Sequence, residues 1–474
     1  MAMNAHDYIA ALVEKAQAAQ AVAENFTQED IELLTGAVAY GLTKPELVEK
    51  FANMLVDEGH MGNVQDKIGK IYAKVKGSYK QMKGQQSVGM LEKDEDTQME
   101  KWAKSMGVLC GIMPVTNGEA TPIVKSMMAL KTRNAIILAP HPRAKKTAMA
   151  IVTEIRGIIE KLGYPADLVQ TIEPEMVNFE TSGELMAQAD FIIATGGDGL
   201  VKAAYSSGTP AIGVGVGNCV SVIDGTRNMK DAIADIMKSK TFDNATSCST
   251  ENNIVVFESC YDEFVKEFAA QGGYLIKEDS EEKEKLKKTI WPNTPEDHNI
   301  NRAIVAQTAA TIAGLADIDA PADVKVLAAE ENGGFGLEHP FTGEKLSPVS
   351  GIIKATDMED ALSKVLGCLD YMGKGHSCGI HTTVKEHADL LAAKVPVTKV
   401  VVNQPQSLTN SGGFVCGFPV TMSLGCGTWG GNSVSHNVTW KDCMNFTFVS
   451  RRVPNWQPND EILFDADVRA KVDA

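Results

Sequence analysis

The sequence contains no apolar run approaching the roughly eighteen residues that a membrane-spanning helix needs. Its first residues, MAMNAHDYIAALVEK, lack the basic-then-apolar profile of a secretory signal, so a cytoplasmic protein is expected. Positive charge is in deficit. With 45 Lys and Arg against 61 Asp and Glu, the net charge is −16, which argues against nucleic acid or an anionic membrane as partner, because a phosphate-dense surface repels such a chain. The nine cysteines never form a CxxC pair. A disulfide framework and a zinc site are both disfavoured, no metal is expected, and reduced thiols, one of them reactive, are the better reading. Neither ATGGDGLVKAAYSSG (194–208) nor GVGVGN (213–218) is the GxGxxG fingerprint of dinucleotide binding.

What is present is an ordinary globular composition, 44% hydrophobic and 22% charged over 474 residues, enough for two or three domains. Residues 4–83 have helical spacing (Tyr8, Leu12, Ala16, Ala19), with Thr27 and Thr43 as candidate N-caps. The charged stretch Ser87–Lys104 reads as a projecting hairpin. From Val108 onward, short apolar strands (Ala135–Ala139, Phe191–Ala194, Ala211–Val214, Val220–Ile223) alternate with amphipathic helices (Lys145–Leu162, Met229–Lys238). That alternation predicts an α/β fold with a doubly wound parallel sheet. The rhythm repeats through Ile254–Phe257, Tyr261–Gln271, Val324–Ala328, Met358–Leu366 and Lys399–Val402, and KEDSEEKEKLKK (277–288) reads as an exposed helix. Ser407–Trp440 is rich in Gly, Ser, Thr and Asn, as loops around a site or an interface are.

The glycines at 194–208 follow a strand and precede a helix, where backbone N–H groups approach a phosphate closely. Taken alone they serve equally as tight-turn residues. AIILAPHPRAKK (135–146) ends a strand in Pro-His-Pro and then turns basic, either to grip a ribose or phosphate or to cap a helix.

Six segments in one order change the weight of these signals: LAPHPRAKK (138–146), ATGGDGLVKAAYSSGTPAIGVGVGN (194–218), TSCSTEN (246–252), HPFTGEKLSP (339–348), GKGHS (373–377) and LGCGTWGGNS (424–433). Together they resemble the CoA-acylating aldehyde dehydrogenases, with similarity from about residue 5 to about 450. Within that family the chain looks most like acylating sulfoacetaldehyde dehydrogenases and CoA-dependent succinate-semialdehyde dehydrogenases. The resemblance implies an NAD(P)-binding domain over residues 1–243, with the hairpin near 85–104 serving oligomerisation. It implies a catalytic domain over 244–430 and a C-terminal return over 431–474, in a homodimer or homotetramer.

The resemblance also assigns roles. Cys248 is the nucleophile that adds to the aldehyde, so that hydride leaves and a thioester remains. Asn117, in MPVTNGEATP, is the oxyanion donor, although Gly118 stands where the family usually has proline; a plain turn asparagine is the alternative. His376 is a third catalytic residue, acting toward the CoA thiol or the thioester, with His339 and His381 weaker candidates. Glu344 is expected at the nicotinamide ribose, an exposed helix cap being the alternative. Pro114, Thr116, Pro140, His141, Gly196, Gly197, Gly199 and Gly215 are expected at the cofactor, NAD or NADP, which Arg143, Lys145 and Lys146 do not decide between. Val214 occupies the slot where hydrolytic relatives carry a glutamate base, so CoA rather than water is expected to take the acyl group. Thr246, Ser247, Ser249 and Thr250, with Asn252, Asn253 and the loop QSLTNSGGF (406–414), suit a polar or anionic substrate. Sulfoacetaldehyde is the leading expectation; succinate semialdehyde, acetaldehyde or propanal, and a hydrolytic reaction giving free acid, are the alternatives. The sequence ends at Ala474, and no iron-dependent alcohol dehydrogenase half is expected.

Overall fold

Helices α1 (Ala5–Ala23), α2 (Gln28–Leu42), α3 (Pro45–Gly59) and α4 (Val64–Met82) occupy the start of the chain in a computed structural model that describes residues 4–453 and 459–474. Three of the four begin on a side-chain cap that accepts from a free N–H. The side chains of Asn4 and Asn63 accept from the third helical N–H of α1 and α4, and Thr27 forms a reciprocal capping box with Asp30. Thr43, expected as an N-cap, instead closes α2: its hydroxyl donates to the Ala39 carbonyl, and α3 starts with Pro45 at its first position.

The first sheet has five parallel strands in the order Val169–Thr171, Ala135–Ala139, Val108–Ile112, Phe191–Thr195, Ala211–Val214. The chain starts at the middle strand, moves to one edge, and then crosses to the other side. The order therefore reverses between Val108–Ile112 and Phe191–Thr195, and a crevice opens beyond the carboxyl ends of those strands. Connecting helices, among them Thr121–Lys131 and Lys145–Lys161, cover it, and α1 packs beside the Ala135–Ala139 strand.

The second sheet has seven parallel strands in the order Gly273–Ile276, Val326–Glu330, Val349–Ala355, Glu251–Phe257, Cys219–Ile223, Cys378–His381, Val400–Val402. Cys219–Ile223 pairs on both sides inside this sheet, so the chain passes from the first sheet to the second between Val214 and Cys219. The boundary expected at 243/244 falls too late. A strand and the helix Met229–Thr241 that follow the switch belong to the second unit, because their apolar residues pack into its core.

Met90–Asp94 and Met99–Lys104 form the antiparallel hairpin read from the sequence, and Asn445–Ser450 adds a third strand to it. The C-terminal segment returns to the first sheet, where Trp440 and Cys443 are buried and the Cys443 carbonyl accepts from the Asn134 amide. The charged stretch forms the helix Glu281–Ile290, which inserts Leu286 and Ile290 into the core and exposes its other face. Among the described residues, no helix is long and apolar enough to cross a membrane.

Candidate functional site

Parallel pairing assembles the centre of the site. Cys219 lies opposite Glu251 in one neighbouring strand, and Val220 lies opposite Cys378 in the other. The residues just before those strands, Ser247–Thr250 and His376–Ser377, therefore gather at one sheet edge around Cys219. This edge faces the carboxyl ends of the first sheet, from which the turns at Pro114–Asn117 and Thr195–Gly197 project. Between the two sheets lies a cavity of about 470 Å³.

The loop carrying Cys248 is held by backbone that few residues accept. Asp243, Asn244 and Ala245 all have positive φ (50°, 52° and 60°). Asp and Asn tolerate this region better than most residues, while an alanine there costs roughly 1–3 kcal/mol. Local contacts hold the turn. The Asp243 N–H donates to Asp66 at 2.7 Å, and Asn244 Nδ2 donates to the Ala306 carbonyl at 3.1 Å. The Asp243 carboxylate accepts from the Asn63 N–H at 3.0 Å and from Thr246 Oγ1 at 2.8 Å. Gly217 comes so close to this loop that a Cβ there would lie 2.2 Å from the Cys248 carbonyl oxygen and 2.9 Å from the His376 ring. The close approach explains the last glycine of GVGVGN.

His376 Nε2 lies 3.2 Å from Cys248 Sγ. Its Nδ1 is 3.0 Å from Ser377 Oγ, which also accepts from Asn410 Nδ2 at 3.0 Å and lies 2.9 Å from Cys219 Sγ. One set of donors satisfies all these contacts: Nδ1–H and the Asn410 amide both donate to Ser377, and the Ser377 hydroxyl donates to Cys219. The Cys219 thiol then donates to the Cys248 carbonyl at 3.5 Å. In that arrangement of protons Nε2 is left as an acceptor facing the Cys248 thiol. Burial, reinforced by nearby Lys399, brings His376 down to about 3. Burial, with Glu344 and Cys426 nearby, pushes the Cys248 thiol well above its ordinary range. The pair at rest is a neutral thiol beside a neutral base.

Asn117 sits in the turn between the Val108–Ile112 strand and the Thr121–Lys131 helix, where its carbonyl accepts from the Thr121 N–H and hydroxyl. Lys70 Nζ donates to Asn117 Oδ1 at 2.9 Å. Because an ammonium can only donate, this contact fixes which end of the amide is oxygen and leaves Nδ2 as a donor. Lys70 is paired with Asp243 at 2.6 Å and Glu119 at 3.2 Å, and Lys67 with Asp243 at 3.0 Å. Burial opposes the charge on Lys70, but Asp243 and Glu119 outweigh it and hold the ammonium above its usual value. One buried network thus positions the Asn117 amide and the Cys248 loop together. Gly118 packs where a Cβ would sit 3.0 Å from both Ala144 and Leu55, and its N–H donates to the Val115 carbonyl, a bond that proline cannot make.

Pro114, Thr116, Asn117, Gly196, Gly197 and Gly215 line the cavity with Cys248. So do Glu344, Thr246 and Ser247. Glu344 lies in a loop, not at a helix cap, and is 6% exposed. Gly197 precedes the helix Asp198–Ser206 and has open space where a Cβ would stand, so a phosphate could approach its backbone. The crevice, that glycine and Glu344 together fit a dinucleotide lying across the end of the first sheet.

Pro140, His141 and Gly199 lie outside the cavity lining. Beyond Pro140, Glu58 caps the helix Lys145–Lys161 by accepting from the N–H groups of Lys146 and Thr147, and Arg143 donates to the Gly59 carbonyl. Ser249 and Thr250 are buried away from the cavity, since Ser249 pairs with Ser247 and Thr250 donates to the Ser239 carbonyl. Asn252 and Asn253 enter the second sheet, where they bond Lys345, Asn218 and Thr342. These four build the loop's support, not the pocket, because the strand they lead into is paired on both sides. His339 pairs with Glu331, and His381 with Arg227, away from Cys248. The 406–414 loop does face the cavity, through Ser407, Leu408, Ser411, Gly412, Gly413 and Phe414.

Sequence reasoning missed Lys67, Lys70, Lys74, Asp243, Ser377 and Asn410. The lysines carried a signal: Lys67, Lys70 and Lys74 recur at helical spacing on the face that also carries Ile71.

The model of the aldehyde dehydrogenase family matches residues 2–286. The chain is 42% identical over 454 residues to a sulfoacetaldehyde dehydrogenase from an Acholeplasma species, covering 95% of this chain and 92% of that one. It is 40% identical to the acylating sulfoacetaldehyde dehydrogenase of Bilophila wadsworthia, over 95% and 96% of the two chains. Its fold is similar to the crystal structure of an acetylating aldehyde dehydrogenase from Geobacillus thermoglucosidasius, with a TM-score of 0.89 and 34% identity over 96% and 98% of the two chains.

Proposed function

Since this chain belongs to the aldehyde dehydrogenase family, among its acylating members, we propose that it interconverts sulfoacetaldehyde and sulfoacetyl-CoA through a thioester on Cys248. The observation that carries this reading is the cavity that holds Cys248, Asn117 and Glu344 together with Val214.

His376 Nε2 takes the Cys248 proton as sulfur adds to the aldehyde carbon. Asn117 Nδ2, aimed by Lys70, supports the oxygen that becomes an alkoxide. Thr195, Gly196, Gly197 and Glu344 would hold NAD or NADP, which when bound would accept the departing hydride. Val214 ends its strand 3% exposed and offers no atom to take a proton from water. Once His376 has passed its first proton to solvent, the thioester persists until the sulfur of CoA attacks it, and His376 receives the CoA thiol proton and returns it to the departing Cys248 sulfur. Thr246 and Ser247 give the pocket hydroxyls beside the nucleophile. The reading extends to a cytoplasmic homodimer or homotetramer, supported by Trp102, Phe446 and Phe448, which stay exposed on the three-stranded sheet.

The test is NADH formation from sulfoacetaldehyde with and without CoA, with the product identified. Acyl-CoA formed only when CoA is present is the expected result. Free acid formed at a sustained rate without CoA would overturn the acylating reading.

A further inference from the structure

Lys74 is the third lysine along the inner face of α4, one turn beyond Lys70. Lys67 and Lys70 both have carboxylate partners; among the described residues no carboxylate lies within 4.0 Å of Lys74. It lines the cavity that holds Cys248. Its ammonium is held by neutral oxygens of one loop: Ser411 Oγ at 2.6 Å, the Gly412 carbonyl at 2.9 Å and the Ser411 carbonyl at 3.1 Å. That loop is fixed. Gly412 has φ +75°, a Cβ there would lie 2.2 Å from the Pro419 carbonyl oxygen, and the Ser411 carbonyl also accepts from the Thr421 N–H. A cation kept in a cavity without a counter-ion is costly, and an anion that enters relieves the cost. Leu408, Phe414 and Met422 also line the cavity, and such apolar wall strengthens a charge pairing beside it.

We propose that Lys74, with the Ser411 hydroxyl, is the counter-ion for the anionic tail of the aldehyde and sets the preference for a sulfonate over a plain alkyl chain. The assignment rests on the acylating reading of this cavity. Burial, followed by the repulsion of Lys70 and partly offset by Cys416, brings Lys74 down to about 7. Lys70, Cys248 and Glu344 are the other titratable groups among the described residues that line the cavity. A bound sulfonate, ionised at all working pH values, favours the protonated lysine. Preference for the anionic substrate therefore weakens as pH rises above neutrality.

The experiment compares kcat/KM for sulfoacetaldehyde and propanal in wild type, Lys74→Met and Lys74→Arg, always with CoA present. The ratio should fall at least roughly tenfold in Lys74→Met, through KM, and recover in part in Lys74→Arg. A measurement on the wild type needs no variant. The unreactive alcohol 2-hydroxyethanesulfonate should compete with propanal, and its inhibition constant should rise at least about tenfold between pH 7 and 9 as Lys74 loses its proton. A ratio unchanged in Lys74→Met, or inhibition flat across that range, overturns the assignment. CoA-dependent thioester formation from either aldehyde reports separately on the acylating reading. Its absence with both in the wild type would sink that reading, whereas its presence beside an unchanged ratio sinks only Lys74.

Discussion

The 3.2 Å contact between His376 Nε2 and Cys248 Sγ joins a base whose charged form is disfavoured to a thiol whose charged form is disfavoured. Burial acts on both in the same sense, toward neutrality. The pair therefore differs from a thiolate–imidazolium couple, in which each charge would stabilise the other. In the proposed reaction the proton moves when the aldehyde carbon is in place to take the sulfur's electrons, a timing that would spare the resting thiol from stray electrophiles.

Alkylation by iodoacetamide reads this directly. The reagent consumes thiolate, and a thiol held above its ordinary value gains thiolate with every rise in pH. The inactivation rate should climb by about tenfold per unit from pH 7 to 9, with no plateau. A plateau reaching below pH 7 would mean an ion pair at rest. Cys416 is the other partly exposed cysteine among the described residues. Mass analysis should show it labelled as well, while activity tracks Cys248 alone and Cys248→Ala abolishes turnover.

Removing the base should slow the reaction in both halves. His376→Ala is expected to lower the rate of NADH appearance by roughly 10²–10⁴-fold. Ser377→Ala should cost less, because Cys219 Sγ, 3.4 Å from Nδ1, and the close approach of Gly217 still confine the ring. Single-turnover measurements with excess enzyme give the acylation rate; an unaffected rate in His376→Ala would assign the proton to another acceptor.

Asn117→Ala and Lys70→Met separate orientation from stability. The first should lower kcat by roughly 10²–10³-fold and leave the melting temperature near that of the wild type. The second leaves Asp243 and Glu119 short of a buried partner, an effect typically worth about 3–5 kcal/mol, and also frees the amide. It should lower both kcat and the melting temperature. A Lys70→Met enzyme that melts with the wild type yet loses kcat would show that the lysine serves only the amide.

The parts of this site that sequence reading reached are those written as short segments: TSCSTEN gives Cys248, GKGHS gives His376, and the glycines of ATGGDG mark the end of a strand. What it could not reach comes from pairing between strands far apart in the chain. That Cys219 stands between Cys248 and His376 follows from the register of Cys219 with Glu251 and of Val220 with Cys378, which no local pattern encodes. The error at Ser249, Thr250, Asn252 and Asn253 has a related origin. Small polar residues beside a nucleophile look like a pocket, but here they enter a strand buried on both sides and turn to satisfy neighbouring backbone. The domain boundary was missed because the strand at Cys219 reads like the strand at Ala211, and only pairing assigns them to different sheets.

The final prediction concerns water. Val214 lies at the carboxyl end of the Ala211–Val214 strand and lines the cavity with Cys248, and its side chain has no atom to draw a proton from water. General-base assistance is worth about 10²–10⁴-fold, so hydrolysis of the thioester should trail transfer to CoA by at least the lower figure. With sulfoacetaldehyde and the oxidised cofactor but no CoA, the enzyme should release about one NADH per site and stop. Intact mass should then show the acyl group on Cys248, and adding CoA should discharge it. Glu344 is the one carboxylate among the described residues that line the cavity, and with His376 it is a group placed to serve water. If NADH continues without CoA in the wild type and stops in Glu344→Gln while CoA-dependent turnover persists, the base is Glu344 and the valine does not protect the thioester. If the wild type stalls and Glu344→Gln stalls with it, the absence of a base at Val214 is what commits the acyl group to CoA.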